Sequence, residues 1–251
     1  MLLTIVALPD IPLIQPGDDL IRVIFDGMTR AGLSLQSGDV LVISSKIVSK
    51  AEGCIVDLKT IDPGSEATRL AEETQKDPRV VELILRESRG ISRAVPGVLV
   101  SEHRLGFISA NAGIDQSNVD ESGDHVLLLP TDPDASAQEI RAGIRKSVGV
   151  DVAIVISDTH GRPFRMGNVG VAIGVSGMPA LVDLRGQIDL FGRELQISMQ
   201  GYGDLVASAA HLVCGEGDEG RPVVFMRGLQ FPPTDGQARD LIRPAEQDLY
   251  R

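Results

Sequence analysis

Tryptophan is absent and aromatic residues make up only 3% of the chain. A core must therefore be built from Val, Ile, Leu and Ala. The only two cysteines, Cys54 and Cys214, lie far apart. That pattern speaks for reduced thiols and a cytoplasmic setting rather than a disulfide framework. No apolar run approaches the length of a membrane span. The start, Met1-Leu2-Leu3-Thr4, has no charged region ahead of an apolar core, so no secretory leader is expected. Basic residues are outnumbered: 24 Lys and Arg stand against 35 Asp and Glu, for a formal net charge of −11. This excludes a nucleic-acid or anionic-membrane surface as the main partner. It leaves a polyanionic small ligand open, because metal ions can mediate between acidic side chains and phosphates. Several site motifs are missing as well. There is no G-x-x-x-x-G-K-[ST], H-E-x-x-H, C-x-x-C or G-x-S-x-G, and hence no standard phosphate loop, zinc-protease helix, thiol pair or nucleophile elbow.

What is present is a chain of 251 residues, 43% apolar. That length suits one large domain or two small intertwined ones. Its most telling stretch is V-A-I-V-I-S-D-T-H-G-R-P-F-R, residues 152–165. The first five residues form an unbroken apolar run, which predicts a strand buried on both faces. The run is expected to stop at Ser157-Asp158-Thr159, with a turn at Gly161 and two arginines beyond, Arg162 and Arg165. A carboxylate and a hydroxyl at the end of a buried strand suit a hard cation, which takes oxygen ligands. The arginines suit a carboxylate or phosphate. The plainer alternative is an Asp that merely caps the next turn.

Along the rest of the chain, residues 2–8 read as a strand, broken by Pro9-Asp10-Ile11-Pro12. A helix is predicted from Leu20 to about Ala31, with Leu20, Val23, Ile24, Met28 and Ala31 as its buried stripe. A second buried strand, 38–43, runs into Ser44-Ser45-Lys46-Ile47-Val48-Ser49-Lys50. Lys46 and Lys50 are candidate phosphate or base contacts; a solvated basic patch is the alternative. Pro63-Gly64-Ser65 starts one helix, and Asp77-Pro78 starts another with Asp77 as N-cap. Residues 97–101 and 106–110 read as paired strands leading to a loop, 111–119, where small residues surround Asp115 and Asn118. Asp132-Pro133-Asp134 reads as a plain turn, and Ser136-x-x-Glu139 as the capping box of a helix reaching about Ser147. The small residues of 167–177 imply close packing against another backbone. A hairpin or loop is predicted at 183–194, a strand at 195–199, a helix at 204–213 and a strand at 223–226.

Gly215, Gly217 and Gly220 have G-x-G-x-x-G spacing, but they follow a helix and precede a strand, the reverse of a dinucleotide fold. Acids at 216, 218 and 219 would repel a bare pyrophosphate. With metals present the loop makes sense, its glycine N–H groups turned to phosphate and Glu216 to the cation; a flexible acidic surface loop is the alternative. His103, His125, His160 and His211 show no ligand spacing. His211 is expected in the packed core, and Cys214 as a small buried residue rather than a nucleophile. Three carboxylates, Asp115, Asp158 and Glu216, thus sit in three Gly-containing loops, with two lysines in a fourth. Such a set suits nucleotide-phosphate chemistry with two divalent metals.

Eight blocks occur in an order that resembles a known family. They are I-P-L-I with P-G-D-D-L (11–20), G-D-V-L-V-I-S-S-K-I-V-S-K-A-E-G (38–53), N-A-G-I-D-Q-S-N-V (111–119), L-L-L-P-x-D-P-D-x-S-A (127–137), I-S-D-T-H-G-R-P-F-R (156–165), A-I-G-x-S-G (172–177), D-L-F-G-R-E-L (189–195) and G-E-G (215–217). Together they are similar to the gamma-glutamyl ligases of the deazaflavin coenzyme F420. The resemblance implies an α+β fold of two interlocked α/β subdomains with mixed sheets, spanning 1–251 as one ligase domain, and an intertwined homodimer. It implies a GTP-dependent ligase joining L-glutamate to the lactyl carboxylate of the coenzyme precursor through an acyl phosphate, with extension of a gamma-linked tail as a further step. Two divalent cations, Mg or Mn, and a monovalent K ion are the implied cofactors. By position, Asp115 and Asp158 match ligands of one metal, and Thr159 and Glu216 those of the other. Ile11, Pro12, Leu13, Ile14, Ser45, Lys46, Lys50, Asn118, Cys214, Gly215, Glu216 and Gly217 match nucleotide contacts. Asp115, Asp158, Arg162 and Arg165 form the expected catalytic set, the arginines from the reading of the residues alone. The tail, 241–250, resembles the junction to a nitroreductase-like domain, so the chain is read either as a stand-alone ligase or as the first half of a longer protein. A related metal-dependent ligase or phosphotransferase acting on another carboxylate, and a non-catalytic binding protein, are the competing classes.

Overall fold

A computed structural model describes residues 2–119 and 123–248. Met1 and the last two residues of the compared tail, Leu249 and Tyr250, lie outside the described residues. The chain is α+β. Its centre is a five-stranded mixed sheet formed by β1 (Thr4–Ala7), β2 (Val40–Ser44), β8 (Ala153–Arg162), β9 (Arg165–Ser176) and β12 (Val223–Arg227). The order is β1-β12-β2-β8-β9; only β2 and β8 run parallel. The remaining strands are β3 (Ile55–Asp57), β4 (Ser88–Val95), β5 (Val98–His103), β6 (Ile108–Ala110), β7 (His125–Leu127), β10 (Leu181–Asp183) and β11 (Met199–Gly201). They make a three-stranded antiparallel sheet, β4-β5-β6, and two antiparallel pairs, β3-β7 and β10-β11.

The helices are α1 (Leu20–Arg30), α2 (Ser45–Ala51), α3 (Ser65–Thr74), α4 (Pro78–Arg86), α5 (Pro133–Val148) and α6 (Tyr202–Cys214). Side chains alternate across the central sheet, as strand geometry requires. Leu41, Ile43, Ile154, Ile156 and Phe225 pack with Ile24 and Met28 of α1 and Ile140 and Ile144 of α5. Val40, Val42, Ala153, Val155 and Val224 pack with Val206, Ala207 and Ala210 of α6. The face toward α6 carries smaller side chains. A Cβ at Gly170 would come within 2.7 Å of the Ala207 carbonyl oxygen, and one at Gly174 within 2.3 Å of that of Pro133. The small residues of 167–177 therefore do face other backbone, as read from the sequence. A separate cluster, including Leu70, Val81, Ile84 and Leu99, holds α3 and α4 against the smaller sheet.

Several elements depart from their sequence reading. The 152–156 strand does not stop at Ser157: β8 continues to Arg162, and the turn lies at Pro163-Phe164 rather than Gly161. Pairing with the 165–176 segment carries it past the apolar run. The N-cap of α5 is Asp132, whose side chain accepts from the Ala135 N–H at 3.1 Å. Ser136 is a turn inside the helix and its hydroxyl donates to Glu52, so the capping-box reading fails. Nor is 132–134 a plain turn, since Asp134 accepts from the N–H groups of Val175 and Ala238 at 2.8 and 2.7 Å. The strand expected at 195–199 is instead β11, beginning at Met199 and pairing with β10.

Candidate active site

The main cleft opens where the parallel pair of the central sheet ends. The β2–β8 register closes at Ser44 with Ser157. There β2 turns directly into α2, while β8 runs on with only β9 beside it. Neighbouring residues of an extended strand point to opposite faces, so Asp158 and Thr159 serve the two sides of the sheet's end. On one side Asp158 accepts from the Ser45 hydroxyl of α2 at 3.3 Å. On the other the Thr159 hydroxyl donates to Glu216, in the loop after α6, at 3.1 Å. The cleft wraps around the carboxyl end of the strands, the usual place for a ligand in sheets of this kind. Its volume is about 600 Å³, and Ile11, Pro12, Leu13 and Ile14 make one wall.

Lys46 and Lys50 are four residues apart on α2 and so share one helix face. Both reach across to the 115–119 loop. The Lys46 ammonium lies 2.6 Å from the Asp115 carboxylate. The Lys50 ammonium, in a buried side chain, donates to the Asn118 carbonyl at 2.7 Å and that of Val119 at 3.2 Å. Asp115 also accepts from the Ser117 N–H and hydroxyl, each at 2.7 Å. Burial pushes the Asp115 carboxyl up, but the Lys46 ammonium and Ser117 outweigh it and hold it below the ordinary carboxylate range. The Asn118 amide donates to the Gly217 carbonyl at 3.5 Å, joining the loop to the 214–221 segment. That segment leaves α6 through Gly215 at φ +79°, a conformation open to glycine. Burial and the nearby Glu216 push the Cys214 thiol up. A nucleophile needs the thiolate, so Cys214 is a wall residue here.

Every residue expected to hold the nucleotide or metals lines this one cleft: Ile11 to Ile14, Ser45, Lys46, Lys50, Asp115, Asn118, Asp158, Thr159 and Cys214 to Gly217. Arg162 and Arg165 do not. They face each other across the tip of the β8–β9 hairpin, outside the cleft lining. The Arg162 guanidinium donates to the Met166 carbonyl at 2.8 Å. Two histidines at the site were given no role from the sequence, although His160 stands beside the Ser157-Asp158-Thr159 segment. His211 is not plain core: its Nδ1 lies 3.2 Å from the Glu216 carboxylate and its ring lines the cleft. No spacing signals this, because the contact needs the loop to fold back on α6. The His160 Nε2 lies 3.1 Å from Asp158. The i, i+2 relation of two strand residues sharing a face was the available signal.

The donors around the cleft are all hard: the carboxylates of Asp115, Asp158 and Glu216 and the hydroxyl of Thr159. Such a set fits Mg or Mn rather than a soft metal. The Lys46 ammonium against Asp115 marks a point where positive charge is already favoured. Among the described residues, no three His, Cys, Asp or Glu side chains gather into one metal-holding group. Mg sites commonly use one or two carboxylates and complete their octahedron with water and phosphate oxygens, and the paired donors here match that habit.

Comparison with known proteins identifies the family. A profile of the family described as F420-0:Gamma-glutamyl ligase matches residues 10–228. A protein of Methanopyrus kandleri named coenzyme F420:L-glutamate ligase is 50% identical over 242 residues, covering 95% of this chain and 93% of its own. One of the same name from Methanothermobacter thermautotrophicus is 44% identical over 251 residues, with 99% of each chain covered. Another, from Archaeoglobus fulgidus, is 40% identical over 241 residues, 96% of this chain and 93% of its own.

Proposed function

The chain belongs to the F420-0:gamma-glutamyl ligase family and is a ligase; from that premise we propose that it uses GTP to join L-glutamate to the lactyl carboxylate of the coenzyme F420 precursor. The observation that carries this reading is the convergence of four separate segments, α2, the end of β8 and the 115–119 and 214–221 loops, on one cleft of about 600 Å³ holding both acids and lysines. In this reading the GTP triphosphate lies along the Lys46–Lys50 face of α2 and the glycine N–H groups of the 215–217 loop. Asp115 and Asp158 would hold one divalent cation, and Thr159 and Glu216 the other. Such ions supply charge neutralisation and polarise the phosphoryl group being transferred. Without them, Asp218 and Glu219 on the same loop would oppose a bare polyanion.

The acceptor carboxylate attacks the terminal phosphorus of GTP, an acyl phosphate forms and GDP departs. The amine of glutamate then attacks the acyl carbon. The C–O bond to phosphate breaks, inorganic phosphate leaves, and the amine gives up a proton as the amide forms. What this chain contributes is orientation and electrostatics: Lys50 and Asn118 fix the loop carrying Asp115, and Ser45 and His160 fix the carboxylate of Asp158. Extension of the tail would repeat the same two steps on the newly added carboxylate.

A homodimer belongs to the same proposal. Phe164 and Met166 at the β8–β9 tip are 95% and 96% exposed, and Leu190, Phe191 and Ile197 on the 184–198 loop are 99%, 86% and 87% exposed. Apolar projections of this extent call for a partner surface. The function is tested by incubating the purified chain with GTP, Mg or Mn, glutamate and the precursor, and reading products by mass spectrometry. A mass increase of one glutamyl residue with GDP formation is expected. GTP binding without any glutamyl product would point to a different carboxylate substrate.

A further inference from the structure

A second cavity, of about 400 Å³, borders the outer part of β8 and β9, with His160, Val171, Ala172 and Ile173 in its lining. The two are linked through one side chain. His160 lines the second cavity while its Nε2 holds Asp158, which lines the first. A ligand in the second cavity therefore sits next to the point where the phosphate chemistry is proposed, without entering the nucleotide's own space.

Its lining carries both signs of charge over an apolar base that includes Phe107, Ile173 and Ile242. Arg239 is exposed, and its guanidinium has no ion-pair or hydrogen-bond partner among the described residues. Asp204 accepts from the Ala172 N–H at 2.9 Å through one carboxylate oxygen. Burial pushes the Asp204 carboxyl up, and that N–H and the nearby His160 only partly offset it. A cationic neighbour would relieve it. Arg104 is already committed to Glu87 and to the Thr131 carbonyl, both at 2.7 Å, and frames the wall. Acids in the lining disfavour a triphosphate. One carboxylate short of cationic company and one unpaired guanidinium, facing the same space, suit a small molecule with an ammonium at one end and a carboxylate at the other. We infer that this cavity is the subsite for the amine substrate, a free acidic amino acid, with its ammonium toward Asp204 and a carboxylate toward Arg239. Methylenes between the two ends would rest on Phe107 and Ile242. The inference rests on the ligase reading above, and it assigns to that reaction a route by which the amine reaches the acyl phosphate past His160.

The test is direct binding of L-glutamate to the full chain by calorimetry, alone and with a non-hydrolysable GTP analogue and Mg. Wild type is compared with Arg239→Ala and Asp204→Asn, the latter keeping an acceptor for the Ala172 N–H. Each variant is expected to raise the glutamate Kd by about tenfold or more, the usual scale for loss of one charge-assisted pair. GTP affinity should move less than about twofold. Unchanged glutamate binding in both variants, or no glutamate binding by wild type, overturns the assignment. So does an effect of the variants on the KM of the acceptor instead of that of glutamate. Failure of the ligase reading looks different: glutamate binds and the variants weaken it, yet no glutamyl product forms in the mass-spectrometric assay.

Discussion

The two halves of β8 differ in burial, pairing and polarity. From Ala153 to Ile156 every side chain is buried and apolar, with β2 on one edge and β9 on the other. The register with β9 shifts at a bulge between Ile156 and Ser157, the strand loses β2 after Ser157, and Asp158, Thr159 and His160 are half-buried and polar. A bulge breaks the regular pairing and re-aims side chains. The first half therefore supplies stability and the second supplies chemistry, and a single strand carries rigidity from one to the other. That division makes the two halves separable by mutation.

The largest effect should fall on the apolar half. Ile154→Ala is expected to cost about 2–5 kcal/mol of stability, as for other fully buried aliphatic side chains. Chemical denaturation reads the loss, and the folded fraction should keep its GTP affinity. A second measurement sharpens how the polar half is supported. His160 packs against Phe107, which stacks on the fully buried His103, each pair at 4.9 Å between ring centres. Burial pushes the His103 imidazole down from 6.5 to about 4. The unfolded chain then takes up the proton first, so this contribution is present above pH 6.5 and is lost as pH falls toward 4. The gap is worth about 3 kcal/mol. Urea midpoints recorded across that range should fall on acidification, and a His103→Gln variant should flatten the slope.

On the polar half the comparison reverses. Asp158→Asn should leave stability within about 0.5 kcal/mol yet lower turnover by at least about tenfold, or 1.4 kcal/mol. A variant above a tenth of the wild-type rate would remove Asp158 from the reacting centre. Lys50→Ala is expected to have a smaller effect, raising the KM for GTP by a few-fold, roughly 1 kcal/mol, and that for glutamate much less. The opposite pattern would break the link between α2 and the nucleotide.

Much of this was legible in the sequence where local chemistry decides the outcome. Asp77 caps α4 as its position before Pro78 suggested, and Asp19 caps α1 where the helix was expected to begin. The apolar runs at 40–43 and 153–156 are the two central strands. What escaped was set by distant partners. β9 contains glycines and small residues with little strand preference of their own, and only pairing with β8 makes it a strand. The missed α2 is short and rich in β-branched residues, held by β2 ahead of it rather than by propensity. β4 is half-exposed and bulged, so its alternation is broken. For the site, the residue types and loops could be named, but the meeting of Lys46 with Asp115 and of Thr159 with Glu216 joins positions 69 and 57 residues apart. The exclusion of Arg162 and Arg165 from the cleft follows from the extra length of β8, which the apolar run alone did not show.

The claim that these loops form a metal-dependent GTP site is tested most directly at Glu216. Its carboxylate meets Thr159 and His211 and otherwise faces the cleft. GTP would be titrated into wild type and Glu216→Gln at saturating Mg or Mn. If Glu216 holds a cation that bridges to phosphate, the variant should bind GTP clearly more weakly and respond less to the divalent ion. If Glu216 is only a repulsive surface charge, its removal should favour the polyanion, and equal or tighter GTP binding by the variant would contradict the site proposed here.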